Sequence, residues 1–258
     1  MANASRQSAE IVSDQMTSIW NNFYDGSKSL EYYADVVTAL GAATASSSEE
    51  IATGLEKFAA VAETVGLSYE YATSALATIT ATTRQSADIV GTALKTLFAR
   101  LSDLKLGETL EDGTTLGQYS ENLAKIGVNI KDTSGNLKDM DTILNETAAK
   151  WDNLSKAQQV ALAKGVAGIR QYTQFIALMD NWDFMEENLA TANSSSGTLT
   201  KQAKTYEESW EAASKRVRAS LEAIYESVMD DEFFIDLTNG FADLIDGVSG
   251  FVKSIGGL

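Results

Sequence analysis

Apolar residues recur at three- and four-residue spacing along most of this chain, and the runs are bounded by Ser, Asp or Gly. Such spacing lines side chains along one stripe of a helix, so the pattern commits the chain to packed amphipathic helices. It predicts a first helix from Ser8 to Tyr24, with Val12, Met16, Ile19, Trp20 and Phe23 on one face. A second runs through Leu30, Tyr33, Val37 and Leu40 and stops at Gly41, after which Ala42 to Ser48 reads as loop. Ser47-Ser48-Glu49-Glu50 is a capping box, in which a Ser oxygen accepts from the third amide while Glu50 reaches back. It opens a helix carrying Ile51, Leu55, Phe58, Val61 and Val65 as far as Gly66. Ser68 caps the next, with Tyr71, Ala72, Leu76 and Ile79 inward, and Ser86 and Asp88 start another that bears Val90, Leu94, Leu97, Phe98 and Leu101.

Regularity drops between Leu106 and Asn136. Asp112-Gly113 and Gly117 mark turns, and a short helix is expected from Gln118 to Ile126. In "VNIKDTSGNLK", Val128 and Ile130 alternate with polar residues before a dense turn cluster. The expectation is a small hairpin, Val128 to Lys131 returning through Asn136 to Lys138. Helices resume at Met140 to Trp151 and at Ser155 to Gly165, where Ser155-x-x-Gln158 is a second capping box, and a longer one is expected over Ile169 to Ala192. "NSSSGTLT", Asn193 to Thr200, has the composition of a linker. The fold class is therefore mainly α: a multi-helix bundle of antiparallel helical hairpins with one or two small β-hairpins, plus an extended C-terminal amphipathic helix. The expected segments are 1–46, a helical core over 47–192, a linker at 193–200, and 201–258.

Composition narrows function mostly by what is missing. The chain has no His, Cys or Pro. It therefore has no disulfide, no thiolate, no Cys-ligated zinc and none of the commonest general base. With 36 Asp and Glu against 20 Lys and Arg, a net charge of −16, it repels nucleic-acid phosphates and anionic membranes. No signal peptide or run of apolar residues long enough to span a membrane is visible. The open-ended pattern at "GFVKSIGGL" reads as a piece of a longer protein.

The candidate chemical motifs dissolve on inspection. Counting from Asp132, a calcium loop needs Gly sixth and Glu twelfth, where the chain has Leu137 and Ile143. The carboxylate pairs Glu49/Glu50, Glu186/Glu187 and Asp230/Asp231 suit solvated helix faces in so acidic a chain. Gly165-Val166-Ala167-Gly168 follows no strand and precedes no Lys-Ser or Lys-Thr, so it joins or packs helices rather than binding phosphate. Lys201, Lys204, Lys215, Arg216 and Arg218 alternate with Glu207, Glu208, Glu211 and Glu222, as i,i+4 pairs on a solvated face do. No catalytic, cofactor-binding or metal-binding residue is assigned, and an enzyme is not expected.

The tail is different. Phe234, Leu237, Phe241, Leu244, Val248, Phe251, Ile255 and Leu258 form an unbroken heptad seam, weakened by glycines at 240, 247, 250, 256 and 257. Such a seam needs a surface, and these eight are the candidate protein-interaction residues. Docking on its own domain, self-association and entry into a membrane-active region all remain open.

Read in order, several of these segments resemble one family. Gly91 to Leu101 (GTALKTLFARL) is followed by the Val128–Lys138 hairpin, by Ile143-Leu144…Ala148…Trp151, by Leu154-Ser155-x-Ala157-Gln158, and by Gly168…Phe175-x-Ala177-Leu178…Asn181-Trp182. That succession is similar to the core of tail tape measure proteins of long-tailed phages and prophages, over about Ser47 to Leu258. The resemblance implies a non-enzymatic virion component of the tail lumen or tip, made in the host cytoplasm. Such a protein scaffolds the tail tube, sets its length and is released when DNA is ejected. Its implied partners are the tail tube (major tail) protein, tail-tip or distal tail proteins, tail assembly chaperones and further copies of itself. Sequence-specific nucleic-acid binding is not expected, while contact with a host membrane during ejection is. A rival expectation from the apolar tail is a membrane-interacting or pore-forming helical effector.

Overall fold

A computed structural model describes residues 9–106, 108–207 and 213–220. The chain divides into two units, Met1–Ala203 and Lys204–Leu258. Within the first lie α1 (Ala9–Phe23), α2 (Leu30–Ala43), α3 (Ser48–Glu56), α4 (Ala59–Thr64), α5 (Tyr69–Thr83) and α6 (Ala87–Lys105). They are followed by α7 (Leu116–Ala124), α8 (Met140–Trp151), α9 (Lys156–Asp180) and α10 (Trp182–Asn193), and α11 (Thr198–Glu207) begins there. The protein is mainly α, as the apolar spacing predicts. Of the second unit, residues 204–207 and 213–220 are helical. The heptad seam from Phe234 to Leu258, and with it the expected C-terminal helix, falls outside the described residues.

One helix organises the first unit. Residues 71–80 of α5 are all buried, because α2, α3, α4, α6, α9 and α10 pack around it. Its sequence allows this: no charged residue stands between Glu70 and Arg84, and Ala, Ser and Thr fill the positions where a surface helix would carry Lys or Glu. Buried hydroxyls need partners, and the helix's own carbonyls supply them for Thr73 and Thr78. Thr73 donates to the Tyr69 carbonyl at 2.6 Å and Thr78 to the Ser74 carbonyl at 2.8 Å. Thr78 then accepts from Asn188 of α10 at 2.9 Å, which ties the two helices through a fully buried polar contact. Leu76 and Ile79 add apolar burial of about 1.5–3 kcal/mol each. Small side chains elsewhere on α5 let six helices approach.

The caps match the sequence reading where the signal is local. Ser47 accepts from Glu50 N at 3.1 Å while Glu50 accepts from Ser47 N at 2.7 Å. Ser155 and Gln158 repeat the arrangement on α9. Elsewhere the packing overrides the periodicity. The helix expected from Ser47 to Gly66 is two, broken at Lys57–Phe58, and the break lets Phe58 meet Phe98 of α6 with ring centroids 5.7 Å apart. α2 runs past Gly41 to Ala43. The short helix starts at Leu116, capped by Thr115 in a third box with Gln118.

The expected helices Ser155–Gly165 and Ile169–Ala192 are partitioned differently. α9 runs to Asp180 with a bend at Gly168, whose φ of 79° and ψ of 167° suit glycine alone. The chain then turns at Asn181, and α10 packs on α2 and α5. The hairpin shrinks to a single antiparallel bridge, Lys131 to Leu137, and no second hairpin is present among the described residues. Val128 and Ile130 nevertheless plug the core at 1% and 2% exposure, which accounts for their alternation.

Residues 193–200, expected as linker, are held inside the first unit. The Asp35 carboxylate on α2, itself buried, accepts from Gly197 N and Leu199 N at 2.7 Å each. A carboxylate from a distant helix thus caps α11. Ser and Gly look like a linker in sequence because cap and linker share a composition.

Two outcomes follow from this packing. α3 and α6 cross backbone to backbone, and a Cβ on Gly91 would stand 2.4 Å from the Gly54 carbonyl oxygen. Gly91→Ala is expected to cost about 1–3 kcal/mol in urea unfolding, since backbone rather than a flexible side chain must move. Asp35→Asn places an amide NH₂ where one backbone N–H needs an acceptor. Hydrogen exchange at Gly197 and Leu199 should quicken by about tenfold or more, with exchange in α5 little changed.

Candidate interaction surfaces

Three recesses of the first unit bring chemically distinct side chains together. The first lies where α1, α2 and the start of α5 converge, and its volume is about 310 Å³. Trp20, Phe23 and Tyr24 come from the last turn of α1 and the residue after it, Tyr32 and Tyr33 from α2, Tyr69 from α5. Tyr24 stacks on Trp20 at 3.8 Å, and Tyr33 meets Tyr69 edge-on at 4.8 Å. The buried phenols are anchored: Tyr33 donates to the Phe23 carbonyl at 2.9 Å and Tyr69 to the Tyr33 carbonyl at 2.6 Å. Tyr32 donates to the Glu70 carboxylate, and burial, reinforced by that carboxylate, pushes its hydroxyl well above the usual tyrosine range. Asp25, Glu63 and Glu70 line the rim together with Lys28.

The second recess, about 500 Å³, lies between the end of α8 and the α9–α10 turn. Asp152, Asp180, Asp183 and Glu186 share it with Trp182 and Phe184. Asp180 is already engaged, accepting from the Trp151 indole at 2.6 Å and from Lys156 at 3.5 Å.

The third, about 300 Å³, opens at the bend of α9. Arg100 of α6 fills one side. Its Nε donates to the Val166 carbonyl at 3.1 Å, two residues before the bend at Gly168. Its Nη1 pairs with Asp112 at 2.7 Å, and Asp112 also accepts from Thr114 N at 3.0 Å. Burial raises the Asp112 carboxyl, but the hydrogen bonds from Thr114 and Arg100 outweigh it and hold its pKa at about 2.

The motifs weighed in the sequence find ordinary structural places. Asp132 accepts from Ser134 N and Asn136 N at 2.8 Å each, closing its turn, and the Asn136 bond is the main cause of its lowered pKa. Glu50 belongs to its cap, whereas Glu49, Glu186 and Glu187 are exposed. Among the described residues no group of three or more acidic side chains is placed to hold a metal ion. Lys201, Lys204, Lys215, Arg216 and Arg218 are exposed. The eight seam residues lie outside the described part, so the structure places none of them. The aromatic recess escaped the sequence reading, because Trp20, Phe23 and Tyr33 there served only as core-facing positions. The one available signal was the density of Tyr and Trp in the three segments.

The three recesses are bounded chiefly by tyrosines, carboxylates and the Arg100–Asp112 pair. The model of the phage-related minor tail protein family matches residues 1–168, and the chain belongs to that family. It is therefore a component of a phage tail, with a structural role. The match takes in α1 and α2, which precede the region carrying the sequence resemblance, and it ends at Gly168, the residue at the bend of α9. No solved structure matches the chain. No helix among the described residues is long and apolar enough to cross a membrane.

The Arg100–Asp112 pair carries a pH signature. Its carboxyl titrates below the ordinary value of 3.8 when folded, so it stabilises the protein above that value and ceases to as the pH falls toward about 2. In paired urea titrations, Asp112→Asn should be less stable than the parent at neutral pH. The two should converge as the pH is lowered through that window.

Proposed function

We propose that this chain is a structural domain of a tail tape measure protein, which scaffolds assembly of the tail tube and takes part in setting its length. Membership of the minor tail protein family carries the reading. The ordered succession from Gly91-Thr92-Ala93-Leu94-Lys95 to Asn181-Trp182 supports the finer assignment. On this reading the partners are the tail tube protein, tail-tip and distal tail proteins, assembly chaperones and other copies of the same chain. The protein leaves the tube when DNA is ejected, and a membrane contact accompanies that step.

This part of the protein is a folded station on the tape rather than the tape itself. A measuring element gains about 1.5 Å per residue only while it stays one extended helix. Here helices of 6 to 25 residues turn back on one another around α5, and Asp35 fastens residue 197 to α2. Length per residue is therefore small over the first unit.

Electron microscopy of tails bearing in-frame deletions inside 47–192 tests this. Removing complete helices is expected to abolish or impair assembly, and any tails that form should keep close to their normal length. Shortening in proportion to the residues removed would overturn the folded-station reading.

A further inference from the structure

The aromatic recess has a feature that the tail reading does not use. Its walls are Tyr24, Tyr32, Tyr33 and Tyr69, and its rim carries the carboxylates of Asp25, Glu63 and Glu70 against a single ammonium, Lys28. That ammonium lies over the Tyr32 ring, 4.5 Å from its centroid. Tyr24 stacks on Trp20 through one face and stays about half exposed, at 48%.

Aromatic faces attract cations, and adjacent carboxylates add charge and hydrogen-bond acceptors in the same place. We infer that this recess is a docking site for an arginine or lysine side chain on a basic segment of another protein, with Lys28 as its internal occupant in the free chain. A guanidinium suits the site better than an ammonium. Its plane stacks on tyrosine while its edge donates in pairs to a carboxylate such as Glu70 or Glu63. Charge complementarity extends beyond the rim, since the whole chain carries −16 and favours approach of a basic partner. Lys28 makes the site competitive: a partner's side chain must displace it from Tyr32, so the unoccupied state is already shielded from indiscriminate binding. The inference stands on the recess alone and holds whether or not the chain is a tape measure.

The test uses the full chain with ¹⁵N-labelled tryptophan, following the Trp20 indole by NMR as a Gly-Gly-Arg-Gly-Gly peptide is added. A second titration uses the same peptide with citrulline, which keeps the shape and loses the charge. Saturable shifts at Trp20 with the arginine peptide alone are expected. Glu70→Gln and Tyr24→Ala should each weaken binding about two- to fivefold, and Lys28→Ala should strengthen it by a similar factor. All three positions lie at or near the surface, and an unchanged helical circular dichroism spectrum confirms that each variant folds. No shift at Trp20, equal response to citrulline, or a Lys28→Ala variant that binds no more tightly would overturn the proposal. Any of these results would leave the tail assignment as it stands.

Discussion

Burying a helix on every side imposes a condition that most helices escape: no position on its surface is free to carry a charge. α5 meets that condition over residues 71–80 with Tyr, Ala, Ser, Thr, Leu and Ile, and it turns the Thr73 and Thr78 hydroxyls back onto its own carbonyls. Thr is a mediocre helix former, yet here its hydroxyl needs no outside partner and its bulk is small. The consequence is that neighbours can approach from six directions. α2, α3, α4, α6, α9 and α10 all pack on that helix.

Which parts of this architecture were legible follows from the range of the interactions. Caps at Ser47, Ser68 and Ser155 are contacts between residues three apart, so the local sequence contains both partners. The Thr115–Gln118 box is equally local, but Gly117 inside it reads as a turn residue. By contrast, the poorest helix former near the break, Gly54, lies inside α3 rather than at Lys57–Phe58, so propensity does not place the break. The break serves Phe98, forty residues later. The same holds for 193–200, whose ordering depends on a carboxylate more than 160 residues earlier in the chain. The spacing of Tyr71, Ala72, Leu76 and Ile79 alone predicts an amphipathic α5. The missing charges on its opposite face carried the correct answer.

The sites divide in the same way. Absence of His and Cys, and failure of the calcium-loop count at Leu137 and Ile143, were properties of sequence alone. The Asp132 carboxylate then proved to close its own turn, a role that asks for no ligand. The aromatic recess needed the fold, because Phe23, Tyr32 and Tyr69 converge from helices separated by turns of unpredictable direction. Family membership, in turn, rests on the match of the phage-related minor tail protein model to residues 1–168, and the order of short helical motifs, each uninformative alone, carries only the finer resemblance. The Gly91 that opens one such motif has a physical reason to be there, since it lets α6 lie directly against Gly54.

The fastening of Gly197 and Leu199 to Asp35 has a mechanical side. Tension applied from beyond residue 203 reaches these two hydrogen bonds before it reaches α10, which is packed broadly against α2 and α5. Peeling would therefore start at polar bonds that break over a fraction of an ångström, Thr200 to Glu31 and then this pair, while the buried Thr78–Asn188 contact and the helix stack behind it bear load later. Such an order makes α11 a detachable lead, drawn out under modest force without dissolving the helical unit from which it comes.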